Sequence, residues 1–242
     1  MAREKGGFWL GLTAALFYPI TRILGRWRWE GLERIPGAGE GAALVVANHI
    51  SYIDPIYTAV FVHRAGRITR FLAKASLWKI PLLKSILRGT GQIPVYRDSA
   101  DAQQSLRDGV QALREGKVVV IYPEGTITRD PEHWPMRSHT GVARLALATD
   151  APVLPVVHWG TQAVYDHYTK KLRPFPRKNI VVRCGPPIDL SAFRDQPVDA
   201  VLLRRVTDHV MGEVRALLAQ ERGELPPAKF YRQLRRSSGE AA

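Results

Sequence analysis

The sequence predicts an α/β protein in which a mostly parallel sheet is flanked by helices. Short apolar runs with the length of buried strands alternate with longer segments of helical character. With 242 residues, 45% of them hydrophobic and 24% charged, the chain has the composition of a folded domain and the length to bury a core. No internal repeat or low-complexity block interrupts this pattern. We therefore expect one α/β domain.

The predicted elements follow one another with helices long enough to be crossover connections between parallel strands. Strands are predicted near 42–47, 69–73, 92–95, 117–122, 153–158 and 179–184. Helices are predicted near 54–63, 77–88, 99–115, 139–149 and 198–221. We divide the chain into an N-terminal helical segment (1–34), the α/β domain (35–225) and a basic tail (226–242).

The first 34 residues predict an amphipathic helix that anchors to a membrane surface. No charge occurs from Gly6 to Ile20, and arginines and tryptophans alternate just after it, a mixture that the headgroup layer accepts. Pro19 and the scattered small residues make the run weak for a transmembrane helix, and no small-residue cleavage site follows it. A helix docked on the protein's own core is the alternative. The tail, with four basic residues, is either a frayed terminus or a second membrane contact.

The net charge of +13 and the pI near 10.2 imply an anionic partner. Nucleic acid, an anionic membrane surface and a phosphorylated substrate all qualify. The arginines are dispersed and no nucleic-acid-binding signature is present. A non-enzymatic nucleic-acid-binding protein is therefore the less favoured alternative, and we expect no nucleic-acid partner. Cys184 is the single cysteine, which excludes an internal disulfide and fits a reducing compartment.

The stretch from Asn48 to Pro55 holds the first candidate catalytic pair. His49 follows a buried strand and Asp54 comes five residues later. An Asp that accepts from one ring nitrogen fixes the histidine tautomer and leaves the other nitrogen free to act as a base. The alternative is a helix start, with Asp54 as N-cap, Pro55 in the first turn and Ser51 in a capping box. Catalysis requires a turn that brings the two side chains together.

Two further stretches place polar residues at predicted strand ends. Glu124, Gly125 and Thr126 follow the run 118–121, at the edge where open α/β sheets bind ligands, although a plain turn is the alternative. Arg97 ends the run that starts at Gly91, and Lys74 ends the run 70–73. Each of these two cations is a candidate phosphate ligand, and a surface salt bridge is the alternative for both.

Several chemistries are absent from the sequence. It has no G-x-S-x-G elbow of a serine hydrolase and no phosphate loop. No histidine has H-E-x-x-H spacing or a cysteine partner, so we predict no metal site.

Taken together, these residues resemble the glycerolipid acyltransferase family, specifically the 1-acylglycerol-3-phosphate acyltransferases. Four blocks over roughly residues 40–160 carry the resemblance. They are Asn48-His49 through Asp54, Gly91-x-Ile93-x-Val95-x-Arg97, Pro123-Glu124-Gly125-Thr126 and Val153-Leu154-Pro155-Val156. Four blocks in order are much more specific than any one of them.

The resemblance implies the glycerolipid-acyltransferase fold and transfer of a fatty acyl group from acyl-CoA or acyl carrier protein to the hydroxyl of lysophosphatidic acid, giving phosphatidic acid. His49 would be the general base and Asp54 would orient it. Arg97, with Lys74 or Arg129, would hold the acceptor phosphate, and Glu124 and Thr126 would position the glycerol or the loop. Asn48 and Ser51 would support the site. No cofactor is implied beyond the thioester co-substrate, and the enzyme would associate with the cytoplasmic face of an anionic membrane as a peripheral or monotopic protein.

Two departures from the family pattern leave the acceptor open. Tyr96 stands where an acid or amide is common, and Ile127 stands where an arginine usually follows the threonine, with Arg129 two residues later. The same chemistry on glycerol 3-phosphate, another lysophospholipid or a glycolipid is the alternative.

Overall fold

The computed structural model describes residues 3–96 and 102–232, without the side chain of residue 102. Its helices are α1 (Phe8–Leu24), α2 (Asp54–Arg64), α3 (Pro81–Gly89), α4 (Ala102–Arg114), α5 (Gly141–Leu147), α6 (Thr161–Val164), α7 (Ser191–Arg194) and α8 (Ala200–Arg222). Its strands are β1 (Gly25–Glu30), β2 (Ala43–Ala47), β3 (Thr69–Lys74), β4 (Ile93–Val95), β5 (Val118–Ile121), β6 (Val153–Trp159), β7 (Tyr165–Asp166), β8 (Lys171–Leu172) and β9 (Lys178–Cys184).

Seven of these strands form one sheet in the order β1-β9-β6-β2-β5-β3-β4. All neighbours pair in parallel except β6 and β9, which are antiparallel. The predicted α/β fold with a mostly parallel mixed sheet is therefore confirmed. Strand β2 lies between β5 and β6, so the carboxyl ends of three parallel strands meet at the centre of one sheet edge.

The sheet separates two apolar layers, as the alternation of strand side chains requires. Leu44 and Val46 of β2 pack with α4, α5 and α8, whereas Val45 and Ala47 pack with α2 and β1. Every residue of β2 is buried, because both faces of a central parallel strand are covered.

Strand β1 is absent from the predicted elements. Its sequence mixes tryptophan with arginine, which led us to assign it to a membrane interface. The two residue types alternate, and Trp27 and Trp29 pack on the α2 layer while Arg26 and Arg28 remain exposed. This is the period-two pattern of an edge strand, so the sheet includes six residues of the segment 1–34.

The helix predicted near 77–88 is interrupted. A 3₁₀ turn occupies Ala75–Lys79, and α3 begins at Pro81 after the extended residue Ile80. Proline disfavours helical geometry in the residue before it, which explains the break. Helix α3 packs beside α1, with the Trp9 ring against Gly89.

The described part of the basic tail lies on the body of the protein. Tyr231 bridges to Met136, and its carbonyl accepts from Arg137 N–H at 3.0 Å. Phe230 lies under the guanidinium of Arg215, 4.4 Å from the ring centre. The rest of the tail lies outside the described residues.

Candidate active site

The centre of the site is a turn between β2 and α2 that folds His49 back onto Asp54. His49 Nδ1 lies 2.9 Å from Asp54 Oδ2. Nδ1 therefore carries the proton and donates it, which leaves Nε2 available to a substrate. The His49 side chain keeps 14% of its surface exposed, whereas Asp54 is fully buried. This is the turn that the catalytic interpretation required.

Asp54 receives more hydrogen bonds than the histidine alone supplies. Its Oδ2 also accepts from the backbone N–H groups of Ile50, at 2.7 Å, and Ser51, at 2.8 Å. Its Oδ1 accepts from the Thr161 hydroxyl at 2.5 Å. Burial opposes the charged form, but the hydrogen bonds from His49 and Thr161 hold the pKa of Asp54 below its ordinary value. The carboxylate stays ionised.

These contacts decide against a simple cap. Helix α2 begins at Asp54 with Pro55 in its first turn, but its N-cap is Ile53 and not Asp54. The Asp54 carboxylate accepts from the turn before the helix, not from the helix itself. The predicted capping box is also wrong, because the Ser51 hydroxyl donates to the Tyr165 carbonyl at 2.8 Å. Ser51 instead connects the turn to Tyr165, the residue that follows α6.

Asn48 joins the turn to strand β6. Its side-chain N–H donates to the His158 carbonyl at 3.1 Å, and its carbonyl oxygen accepts from the His158 N–H at 2.8 Å. Asn48 thus makes both bonds of a ladder pair at the point where β2 ends. The supporting role of Asn48 in catalysis stays a prediction.

An aromatic ring holds the imidazole from the side. Tyr122 stacks on His49 with ring centres 4.5 Å apart and an interplanar angle of 29°. The Tyr122 hydroxyl lies 2.8 Å from Thr58 Oγ1, which in turn lies 2.8 Å from His158 Nε2. Burial lowers the pKa of His158 to about 4, so this histidine is neutral at physiological pH.

Glu124 acts on the loops around the site. Its Oε1 accepts from the His49 N–H at 3.1 Å and its Oε2 accepts from the Met136 N–H at 2.9 Å. Burial raises the pKa of Glu124 to about 8. Both oxygens are thus engaged by the backbone, and of the two roles considered for Glu124 these contacts favour positioning the loop.

The turn after Glu124 faces the same cavity as His49. Gly125 has φ +73°, which a glycine adopts without strain, and its N–H donates to the Tyr122 carbonyl at 2.9 Å. Thr126 is exposed and Ile127 is buried, and both line the cavity. Among the described residues, the N–H group of neither forms a hydrogen bond. Two backbone donors are therefore available beside the imidazole.

A cavity of about 610 Å³ extends from His49 between the sheet and three helices. Its walls are mostly apolar and include Leu10, Phe17, Val60, Phe71, Leu83 and Leu87. A space of this size and lining fits a flexible aliphatic chain better than a polar ligand. The histidine therefore stands where an apolar cavity meets the sheet edge.

The three predicted phosphate ligands are placed differently. Lys74 lines the cavity at the end of β3. Arg129 is exposed and is not among the residues that line the cavity. Arg97 lies outside the described residues. Within residues 3–96 and 102–232, no three His, Cys, Asp or Glu side chains are close enough to hold a metal ion.

Four residues of the site were not predicted. They are Thr58, Tyr122, His158 and Thr161. Tyr122 and His158 adjoin blocks that we identified, but a tyrosine in an apolar run and a histidine in a strand give no signal of their own. Thr161 follows the fourth block by five residues, and only the pairing of β2 with β6 brings it to Asp54.

The comparisons with known proteins agree with this geometry. A family model described as Acyltransferase matches residues 26–159, more than half of the chain. The chain belongs to the acyltransferase family. Both the His49–Asp54 turn and the end of β6 lie inside the matched region.

Individual relatives of this chain include acyltransferases of one named type. A 1-acyl-sn-glycerol-3-phosphate acyltransferase of Limnanthes douglasii is 28% identical over 65% of this chain and 54% of its own length. One from Borreliella burgdorferi is 30% identical over 54% of this chain and 50% of its own. This member of the family thus spans about half the length of the curated relatives it matches.

A solved structure shares the fold. The crystal structure of the 1-acyl-sn-glycerophosphate (LPA) acyltransferase from Thermotoga maritima superposes with a TM-score of 0.64 at 25% identity. The match covers 87% of this chain and 80% of that one.

Proposed function

We propose that this acyltransferase moves a fatty acyl group from a thioester, acyl-CoA or acyl carrier protein, to the free hydroxyl of 1-acylglycerol 3-phosphate. The product is phosphatidic acid. The observation that carries the proposal is the His49–Asp54 hydrogen bond at the end of a large apolar cavity. The family match and the relatives named 1-acyl-sn-glycerol-3-phosphate acyltransferase support it.

The chemistry begins at His49 Nε2. This nitrogen removes the proton of the acceptor hydroxyl as its oxygen attacks the thioester carbonyl carbon. Asp54 stays ionised and stabilises the imidazolium through Nδ1. When the carbon–sulfur bond breaks, the imidazolium returns the proton to the leaving thiolate. The new ester and the free thiol balance the reaction, and no acyl-enzyme forms.

The negative charge on the carbonyl oxygen needs donors that are in place before the reaction. The N–H groups of Thr126 and Ile127 meet that condition, because they line the cavity and have no acceptor among the described residues. The N–H groups of Ile50 and Ser51, which start the turn, already donate to Asp54. We therefore propose that the N–H groups of the turn after Glu124 stabilise the oxyanion.

The substrates require contact with a membrane, and we propose that α1 makes it. Helix α1 turns Phe17 and Leu10 to the cavity and leaves Phe8, Leu12 and Leu16 exposed. An apolar face exposed on a helix is stabilised by the acyl boundary of a leaflet. In the described part of the chain, no helix is both long and apolar enough to cross a bilayer. A peripheral or monotopic protein on the cytoplasmic face, where the thioester donor is present, fits these features.

The second candidate keeps the reaction and changes the acceptor. Ile127 lines the cavity where the family usually has an arginine. Of the two Lys and Arg residues that line the described cavity wall, Arg67 is bonded to Glu4 and to backbone carbonyls, so Lys74 is the one that we assign to a phosphate. Glycerol 3-phosphate, another lysophospholipid or a glycolipid would then be the acceptor.

One assay tests both candidates. The purified protein is incubated with a labelled acyl-CoA, or the matching acyl carrier protein, and a panel of acceptors, and the lipids are separated. We expect the label to appear in phosphatidic acid. His49→Ala and Asp54→Asn should lower turnover by about 10² to 10⁴-fold while the circular dichroism spectrum is unchanged. Near wild-type turnover in either variant contradicts the assigned base, and label in another lipid favours the second candidate.

A further inference from the structure

The distribution of charge around α3 is one-sided. Residues 55–97 contain no Asp or Glu, although eight Lys and Arg residues fall within them. Arg67 and Arg70 of this stretch contact Glu4, but Lys79, Lys84 and Arg88 form no ion pair with any described residue. Three cations without a carboxylate partner thus surround one short helix.

The same short helix exposes large aliphatic side chains. Ile80 is 51% exposed and Leu82 is 67% exposed, at the turn where the 3₁₀ segment meets α3. The opposite face of α3 places Leu83, Ile86 and Leu87 against the cavity. The helix is therefore apolar on two faces, and only one of them is covered by protein.

Helix α3 also adjoins the helix that we assign to the membrane. The Trp9 ring of α1 lies against Gly89, so close that a side chain at that glycine would collide with it. Both helices line one cavity with one face and present apolar side chains to solvent with another. An exposed apolar surface beside unpaired cations is the surface that enters an anionic leaflet, because lysine and arginine stems extend along apolar surface to reach the headgroups.

We propose that residues 74–91 are a second membrane-binding element, whose partner is an anionic lipid leaflet. Ile80 and Leu82 enter the acyl boundary, and Lys79, Lys84 and Arg88 meet the headgroup phosphates. Each cation is attracted to the anionic surface, and burial of the aliphatic side chains adds to this attraction. This inference goes beyond the proposed reaction and holds whichever acceptor the enzyme uses.

The two helices then border the cavity on its lipid side. An acyl chain reaches the cavity from the leaflet without crossing water, because the surfaces on either side of it are in lipid. The cavity-lining residues of α3, as well as those of α1, would therefore contact the acyl chain as it enters.

The test measures binding of the full chain to vesicles without any turnover. Vesicles of phosphatidylcholine with one quarter phosphatidylglycerol are compared with vesicles of phosphatidylcholine alone, by flotation. Ile80→Glu/Leu82→Glu should reduce bound protein at least tenfold on the anionic vesicles, with an unchanged melting temperature because both side chains are exposed. Lys79→Gln/Lys84→Gln/Arg88→Gln should bind the two vesicle types almost equally.

The matched control is Val198→Glu/Val201→Glu. These two valines are 64% and 65% exposed, far along the chain from α3, and the same charge there should leave binding unchanged. Wild-type binding by Ile80→Glu/Leu82→Glu overturns the proposal, since α1 alone would then supply the contact. An equal loss in the valine control overturns it too. Acyl transfer in detergent micelles is measured separately, so failure of the proposed reaction does not affect this result.

Discussion

Asp54 shows how much of the site depends on a single buried carboxylate. Its two oxygens accept from His49, Ile50, Ser51 and Thr161, so the imidazole, the turn and the end of β6 all meet at one residue. A buried charge is costly unless such bonds compensate for it. The same bonds that keep Asp54 ionised therefore fix the tautomer and direction of His49.

Replacement of Thr161 tests this dependence without touching a substrate. Thr161→Val removes the bond to Asp54 Oδ1 and nearly preserves the shape of the side chain. A hydrogen bond to a charged group is worth about 1.5 to 3 kcal/mol, so we expect kcat to fall about tenfold or more. The Michaelis constants for both substrates should not change, because Thr161 acts through Asp54. Steady-state kinetics in which the donor and the acceptor are varied separately measure kcat and the two Michaelis constants.

The same variant should move the acid-unfolding transition. The pKa of Asp54 is lowered in the folded state, so its contribution to stability is present above the unfolded pKa and is lost as pH falls through the folded value. Loss of one hydrogen bond raises the folded pKa, and the acid midpoint shifts to higher pH. Thr207→Val is the control, since the Thr207 hydroxyl donates to the Leu203 carbonyl in α8 and to no other described residue. A higher Michaelis constant in Thr161→Val with unchanged kcat contradicts the positioning role.

At the scale of elements, the turn at the end of β6 matters as much as the turn after β2. Gly160 has φ +94° and lies between the strand and Thr161. A Cβ added there would lie 2.0 Å from the backbone oxygen of Asn179 in β9. Neither backbone can yield easily, because β6 and β9 pair directly. Gly160 thus determines where Thr161 stands.

Gly160→Ala should therefore destabilise the protein and impair catalysis together. We expect a loss of about 2 kcal/mol or more in the free energy of unfolding, measured by urea denaturation, and a fall in kcat at a temperature where the variant is folded. Gly39→Ala is the matched control, because Gly39 has φ +90° with nothing within 4 Å of the added Cβ. Its cost should be about 1 kcal/mol, from the backbone conformation alone. Equal losses in the two variants would mean that the Asn179 contact does not matter.

The predicted elements show what the sequence determines locally and what it does not. The strands before His49 and Glu124 were predictable because buried parallel strands are continuous apolar runs. Strand β1 was missed because an edge strand with alternating tryptophan and arginine also has the composition of a membrane interface. The break before Pro81 follows from a local rule that we did not apply to the segment 77–88.

The site shows the same division. His49 and Asp54 are five residues apart, so a turn is enough to join them and the sequence carries the signal. Thr161 and Glu124 reach the turn only through the order of strands in the sheet, with β2 between β5 and β6. No spacing along the chain encodes that order. Long-range contacts are therefore the part of the site that required the fold.

At the scale of the whole molecule, the cavity is the feature that no single element makes. Helices α1, α2 and α3 and strand β3 each supply one wall, and the imidazole lies where they meet the sheet edge. The cavity runs along one face of α2, where Pro55, Ala59 and His63 line it in succession. An acyl chain that lies along this face with its thioester carbonyl at His49 would pass Ala59 before it reaches His63.

A larger side chain at Ala59 should shorten the acyl chain that the cavity accepts. Ala59→Phe places a ring across the cavity but does not touch His49 or Asp54, so kcat/KM should fall at least tenfold for long-chain donors and much less for short-chain donors. Competition between a long and a short acyl-CoA in one reaction measures the ratio directly. Ala192→Phe, which adds the same ring at an exposed position of α7, should leave the ratio at its wild-type value. An equal loss for both chain lengths in Ala59→Phe would mean that the acyl chain does not occupy the space between α1, α2 and α3.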